Sequence, residues 1–248
     1  MKAVIVDAGY GRRLYPITKC ISKGLVPVYD KPALMHQMRF LADMGIREAA
    51  VVVSEIHYDT YKNFLNQIDT DGLDISLYTQ KCGAGIVAAY ESCAAFTKEN
   101  DIILIMGDCL YFIDDVKKLS KQAELCFQKD KVGIVIGKPK PGSSGEFMNR
   151  IGNFEALCGN ADPEEVKKSS AIGMYFLPKT MSGSLAGFVQ IELKDKDMDS
   201  VYAKLLQAGR IMLPQLEPQD EWFDIGTPER LFSASAYVRE RVIGDGSD

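Results

Sequence analysis

Histidine, tryptophan and paired cysteines are scarce in this chain. Two histidines, His36 and His57, and one tryptophan stand among 248 residues. Neither histidine is spaced against a cysteine, so a structural zinc site lacks ligands and a His-based triad lacks candidates. The six cysteines, at positions 20, 82, 93, 109, 126 and 158, include no Cys-x-x-Cys pair. A chain of this length does not depend on a disulfide framework, and reduced thiols are expected. No apolar run approaches the ~18–20 residues of a membrane span; the longest are stretches such as 49–53 and 102–106. The chain meets Asp7 too soon for the apolar core of a secretory signal, so a cytoplasmic location and no membrane partner are expected. Basic excess is missing as well. Against 29 Lys and Arg stand 34 Asp and Glu, a net charge of −5, which argues against a nucleic-acid partner. Any catalysis must therefore rest on carboxylates, Lys and Arg.

The remaining composition is that of a globular protein, with 46% hydrophobic and 25% charged residues. Short β-rich runs alternate with helix-like stretches, the pattern of an α/β protein with a mostly parallel sheet flanked by helices. Strands are expected at 4–6, 49–53, 75–78, 102–106 and 132–136. Helices are expected at 31–44, 58–67, 86–96 and 114–128, the first capped by Asp30 with Pro32 in its first turn and Gly45 closing it. Beyond residue 137 a Pro-, Gly- and Ser-rich loop leads to β-like stretches at 151–157 and 171–177. A helix at 200–208, a strand at 210–213 and a last helix from about 228 to 241 follow. One domain over 1–248 is expected, with a nucleotide-binding part at 1–137 and a sheet-rich, acceptor-binding part with the terminal helix at 138–248.

Chemistry concentrates first in the loop after the opening strand. Gly9 and Gly11 are followed by Arg12, Arg13 and Lys23. A glycine turn at the C-terminal edge of a parallel sheet bares backbone N–H groups, and nearby cations suit a polyphosphate. An ordinary tight turn with solvated basic side chains fits the same residues. The loop is neither a Walker A motif, lacking Gly-Lys-Ser/Thr, nor the dinucleotide fingerprint, since Leu14 stands at the third glycine. Asp108, directly after an apolar strand, is placed to hold Mg²⁺ on substrate phosphates or to cap a turn. Asp224, between aromatics and a glycine turn, has the same two readings.

Together these pieces resemble a known family. The runs Gly9-Tyr10-Gly11-Arg12-Arg13-Leu14-Tyr15-Pro16-Ile17-Thr18-Lys19 and Ser22-Lys23-Gly24-Leu25-Val26-Pro27-Val28-Tyr29-Asp30-Lys31-Pro32 resemble the signature of sugar-1-phosphate nucleotidyltransferases. Gln80…Gly85-Ile86-Val87-Ala88-Ala89, Met106-Gly107-Asp108, Gly173-Met174-Tyr175-Phe176, Ile191-Glu192 and Trp222-Phe223-Asp224-Ile225-Gly226-Thr227 follow in family order. Within that family the likeness is strongest to the thymidylyltransferases acting on glucose 1-phosphate.

The resemblance implies a Rossmann-like fold and a metal-assisted attack of a sugar phosphate oxygen on the α-phosphate of a nucleoside triphosphate (dTTP, UTP or CTP), releasing pyrophosphate. It assigns Arg13 to the leaving pyrophosphate, Lys23 to the α-phosphate, and Asp108 with Asp224 to Mg²⁺. Ala8, Gly9, Gly11, Arg12, Gln80 and Gly85 would line the nucleotide, the last two against the base. Gly152 and Glu192 would lie near the sugar, and Lys168 or Lys167 would replace the lysine of a Glu-Lys-Pro element that is not intact here. These roles suit a reaction that needs positioning and charge neutralisation above all.

Departures from the family pattern open other readings. Asp7 stands where a small Ala is usual, Ala8 replaces a glycine, Arg12 a threonine, and Cys109 an asparagine. A carboxylate near a triphosphate costs of order 1–4 kcal/mol at ~4 Å, which Arg12 could offset by pairing with Asp7 or by binding phosphate itself. The broken acceptor element suggests a cytidylyltransferase for a non-sugar phosphate or phosphonate. Asp7 and Ala8 suggest a degenerate relative that binds a nucleotide or nucleotide-sugar without turnover. The chain is expected to stop short of the helical extension of longer relatives. His36, among Leu34, Met35, Met38 and Phe40, reads as a core or interface residue. Homo-oligomerisation is left open.

Overall fold

The computed structural model describes residues 1–140, 163–181 and 205–245. Strand β1 (Lys2–Asp7) is apolar on both faces and buried almost throughout, as a strand sandwiched between helix layers must be. Two two-residue strands, β2 (Pro27–Val28) and β3 (Lys31–Pro32), form a tight hairpin with Tyr29 in the left-handed region at φ 62°. Helix α1 (Ala33–Asp43) follows, then β4 (Glu48–Ser54), α2 (Tyr58–Leu65), β5 (Asp74–Gln80), α3 (Ile86–Ser92) and α4 (Ala94–Thr97). Next come β6 (Ile102–Met106), β7 (Cys109–Phe112), α5 (Val116–Gln128) and β8 (Val132–Gly137). The later described elements are α6 (Pro163–Lys168), β9 (Ser170–Leu177), β10 (Ile211–Met212), β11 (Glu221–Asp224) and α7 (Pro228–Asp245).

Seven strands form one mixed sheet in the order β10-β8-β9-β6-β1-β4-β5. The block β6-β1-β4-β5 is parallel, whereas β9 lies antiparallel between β6 and β8. Hydrophobic clusters cover both faces. One joins α1 and α5 residues such as Met38, Leu41 and Ala123 to Ile5, Val51 and Ile103; the other packs α3 residues such as Val87 and Tyr90 on Val4, Ala50 and Leu104. The C-terminal ends of β1, β5 and β6 carry Asp7, Gln80 and Met106, and the crevice at such ends is where open α/β sheets take ligands.

The expected α/β class and its main strands hold. Several boundaries differ. Lys31 and Pro32 belong to the hairpin, so α1 begins at Ala33 with Pro32 at its N-cap and no side-chain cap, and Asp30 does not cap it. The helix expected over 86–96 breaks at Cys93, where φ −108° and ψ 25° leave the helical region. The strands β7 and β11 form an antiparallel ribbon pairing Asp224 with Cys109 and Trp222 with Tyr111. The last helix runs to Asp245. The stretch 151–157 lies outside the described residues, as does most of 200–208, of which 205–207 are helical.

Candidate active site

The loop leaving β1 is fastened at both ends. The Ala8 carbonyl accepts the Gly83 N–H at 3.1 Å. Gly11, at φ 60°, takes the Thr18 hydroxyl on its carbonyl at 2.6 Å, and a Cβ there would stand 2.9 Å from Thr18 Cγ2. Gly9 is exposed and its open face lies toward Lys23 Nζ. The Tyr10 ring lies against Gly83, and the Arg12 guanidinium sits over the same ring, 4.6 Å from its centroid. Arg12 therefore does not neutralise Asp7 as expected; its charge is directed along the loop surface.

The Asp108 carboxylate is the focus of the buried half of the site. Lys23 Nζ lies 2.9 Å from Asp108 Oδ2, with side chains only 10% and 14% exposed. Burial disfavours the Asp108 anion, but the Lys23 ammonium, helped by Arg13, outweighs it and holds the carboxyl below its ordinary value. Burial likewise opposes the Lys23 charge, yet Asp108 and Asp7 together raise its pKa. The turn carrying Asp108 is braced from behind by buried Gln37, whose Nε2 donates to the carbonyls of Met106 at 2.9 Å and Cys109 at 2.8 Å. Tyr111 donates to the Gly173 carbonyl at 3.0 Å, tying β7 to β9.

Across the ribbon, Asp224 is brought beside Asp108 by strand pairing, and the Ile225 N–H donates to the Asp108 carbonyl at 2.8 Å. Asp224 Oδ1 accepts the Gly226 N–H at 2.7 Å. Its Oδ2 pairs with Arg230 and lies 3.8 Å from Arg13 Nη2, whose side chain is 60% exposed. Asp224 thus orders the turn before α7, while Thr227 Oγ1 accepts the Arg230 N–H of that helix. Gln80 is buried at the end of β5 with no partner on its Oε1, and Gly85, at φ 91°, opens α3.

Arg13, Lys23, Asp108 and Asp224 converge, and the loop 8–12 borders them. Lys168 is exposed in the last turn of α6 and, among the described residues, forms no hydrogen bond or ion pair. Gly152 and Glu192 lie outside the described residues. Gln37, Tyr61 and Arg230 were not singled out from the sequence. Tyr61 is the one buried residue of α2, and Gln37 stands among apolar neighbours of α1, so either could have been marked as a polar group on a core face.

Asp7 corrects the expectation of a carboxylate beside the phosphates. It is buried beneath the turn of residues 22–25, accepting the Gly24 N–H at 2.8 Å and the Tyr61 hydroxyl. Burial raises its pKa to about 7, against the opposing pull of Lys23.

The model of the nucleotidyl transferase family matches residues 2–241. The chain belongs to that family. The glucose-1-phosphate thymidylyltransferase of Neisseria meningitidis is 29% identical over 248 residues, covering 96% of this chain and 83% of its own length. Two solved structures share the fold. A Bacillus anthracis structure assigned as a glucose-1-phosphate thymidylyltransferase, in complex with sucrose, is 22% identical with a TM-score of 0.75, covering 96% of this chain and 95% of its own. A UDP-glucose pyrophosphorylase complexed with UDP-glucose is 18% identical with a TM-score of 0.73, covering 97% and 98%. The family generally uses a divalent metal. Among the described residues no group of three or more metal-ligating side chains occurs and no helix is long and apolar enough to cross a membrane.

Asp108 and Asp224 suit a divalent ion. They are hard oxygen donors at one end of the β7–β11 ribbon, Asp108 in the turn before β7 and Asp224 on β11, with side chains 14% and 23% exposed. Mg²⁺ ordinarily takes one or two carboxylates and completes its shell with substrate phosphates and water. Lys23, Arg13 and Arg230 balance the two anions in this structure.

Proposed function

We propose that this chain transfers a nucleotidyl group from a pyrimidine nucleoside triphosphate (dTTP, UTP or CTP) to a sugar 1-phosphate, glucose 1-phosphate foremost, with Mg²⁺ held by Asp108 and Asp224. An oxygen of the sugar phosphate attacks the α-phosphorus, the bond from that phosphorus to the β-phosphate bridge breaks, and pyrophosphate leaves. The observation that carries this reading is the convergence of two cations and two carboxylates, Lys23 on Asp108 and Arg13 on Asp224, at one strand ribbon. Lys23, buried and pre-set, neutralises charge developing on the α-phosphate. Arg13, exposed and forked, takes the leaving pyrophosphate, since a guanidinium matches phosphate oxygens two at a time. Bound Mg²⁺ supplies charge neutralisation across the phosphates.

Ala8, Gly9, Gly11 and Arg12 offer backbone N–H groups and charge along the triphosphate, and Gln80 with Gly85 meets the base; the unpartnered Gln80 Oε1 supports that role. Gly152, Lys168 and Glu192 belong to the acceptor side, within a single domain whose 1–137 part binds nucleotide and whose 138–248 part binds the acceptor. The reaction draws on cytoplasmic metabolites. A non-catalytic reading loses one of its two motives, because the Asp7 carboxylate is buried beneath a turn, which leaves Ala8 as the other.

The test is incubation of the purified chain with each triphosphate, Mg²⁺ and a panel of sugar and non-sugar phosphates, reading pyrophosphate and the nucleotide product by mass. A nucleoside diphosphate sugar is the expected product. A folded chain that turns over no pair, or only a non-sugar acceptor, contradicts the reading.

A further inference from the structure

Asp7 takes no part in the chemistry above, yet three elements converge on it. Its Oδ2 accepts the Gly24 N–H at 2.8 Å and the hydroxyl of Tyr61 from α2. Ser22 Oγ, 3.1 Å from that hydroxyl, stands 3.5 Å from the same oxygen. Two glycines leave room for the side chain. A Cβ at Gly107 would stand 2.6 Å from Asp7 Cβ, and one at Gly24 would stand 2.9 Å from the Asp7 carboxyl carbon. Neither glycine has a positive φ, so glycine serves there for space and not for backbone freedom. Lys23 precedes Gly24 within the short turn Lys23–Leu25. Whatever holds Gly24 also holds the backbone from which Lys23 reaches Asp108.

We propose that Asp7 is a positioning residue: through Gly24 it anchors the 22–25 turn and fixes the Lys23 ammonium against Asp108, and Asp7 and Gly24 form a matched pair. The contribution to turnover rests on the reaction proposed above; the pairing does not. Without the anchor the turn gains freedom and Lys23 spends less time opposite Asp108. A cation that acts where charge develops should then be missed in kcat more than in substrate affinity. The raised pKa of Lys23, to which both Asp108 and Asp7 contribute against burial, agrees with an ammonium held between two carboxyl groups.

The experiment compares Asp7→Ala, Asp7→Asn, Gly24→Ala and the double variant Asp7→Ala with Gly24→Ala. Three quantities are read: melting temperature, kcat and KM for the triphosphate, and labelling of Lys23 by an amine-reactive reagent. Labelling is quantified by mass spectrometry against exposed Lys117 and Lys121. Asp7→Ala is expected to lower kcat by at least about tenfold with KM within about threefold, and to label Lys23 several-fold faster while the reference lysines are unchanged. Asp7→Asn keeps an acceptor for Gly24 and should restore most of kcat. Gly24→Ala should lower the melting temperature clearly in the parent and much less in the Asp7→Ala background, where only the Tyr61 hydroxyl, 2.9 Å from such a Cβ, still crowds it. Unchanged kcat and Lys23 labelling in Asp7→Ala would overturn the proposal, as would equal harm from Gly24→Ala in both backgrounds. If Asp7→Ala does not fold, Asp7→Ser replaces it and is read in the same way. If the parent turns over no substrate pair, labelling and melting still decide the pairing, and only the reading of the reaction fails.

Discussion

The two carboxylates that meet at the β7–β11 ribbon are held in opposite ways. Asp108 is clamped by Lys23, both are nearly closed to solvent, and Gln37 braces the turn behind them. Asp224 faces two arginines, one of them largely exposed. Removing one partner of a buried pair leaves an uncompensated charge, whereas an exposed pair contributes little. The Asp108 side is therefore prearranged, and the Asp224 side can regroup around an incoming polyphosphate and metal.

The sharpest break in that contrast is Lys23→Ala. It strands Asp108 in a buried position and should cost about 3–5 kcal/mol of unfolding free energy, read by urea titration, along with essentially all turnover. Asp224→Asn keeps an acceptor for the Gly226 N–H and a polar partner for Arg230, and should cost less stability than Lys23→Ala, while pyrophosphate release falls by at least about 100-fold. Equal losses of stability in the two variants would erase the distinction between the clamped and the adaptable side.

A smaller effect concerns pH. The folded pKa of Asp7 is about 7, above the ordinary value of 3.8. The unfolded chain therefore releases this proton first as pH rises. Between about pH 4 and 7 the folded state holds the extra proton, and stability falls as pH rises through that window. Asp7→Asn removes the titration, so its melting temperature relative to the parent should climb from pH 4 to 7 and then level. A constant difference across that range would place the ionisation elsewhere. Arg13→Lys is expected to do least. The charge stays and the fork is lost, so turnover should drop by roughly tenfold with no change in melting temperature.

The parallel block of the sheet could be read from the chain because Ala3–Val6, Ala49–Val53 and Ile102–Met106 are continuous apolar runs, buried on both faces. The β7–β11 ribbon could not. Its strands are four residues each and more than a hundred residues apart, and Asp108-Cys109 and Trp222-Phe223-Asp224 carry turn signals as strong as their β signals. Pro32 suggested a helix start, but hairpin pairing of Lys31–Pro32 overrode it. The charged quartet was legible by residue type and family order. The direction of Asp7 was not, because composition cannot say which way a side chain points; Gly24, whose turn does not require a positive φ, marks the space that side chain occupies.

The most direct measurement is Mg²⁺-dependent pyrophosphate release from glucose 1-phosphate and each pyrimidine triphosphate, by the parent chain, Asp108→Asn and Asp224→Asn side by side. The account predicts release by the parent with at least one triphosphate, its loss on chelation, and a fall of at least about 100-fold in both variants. Parent-like release by either variant would contradict it.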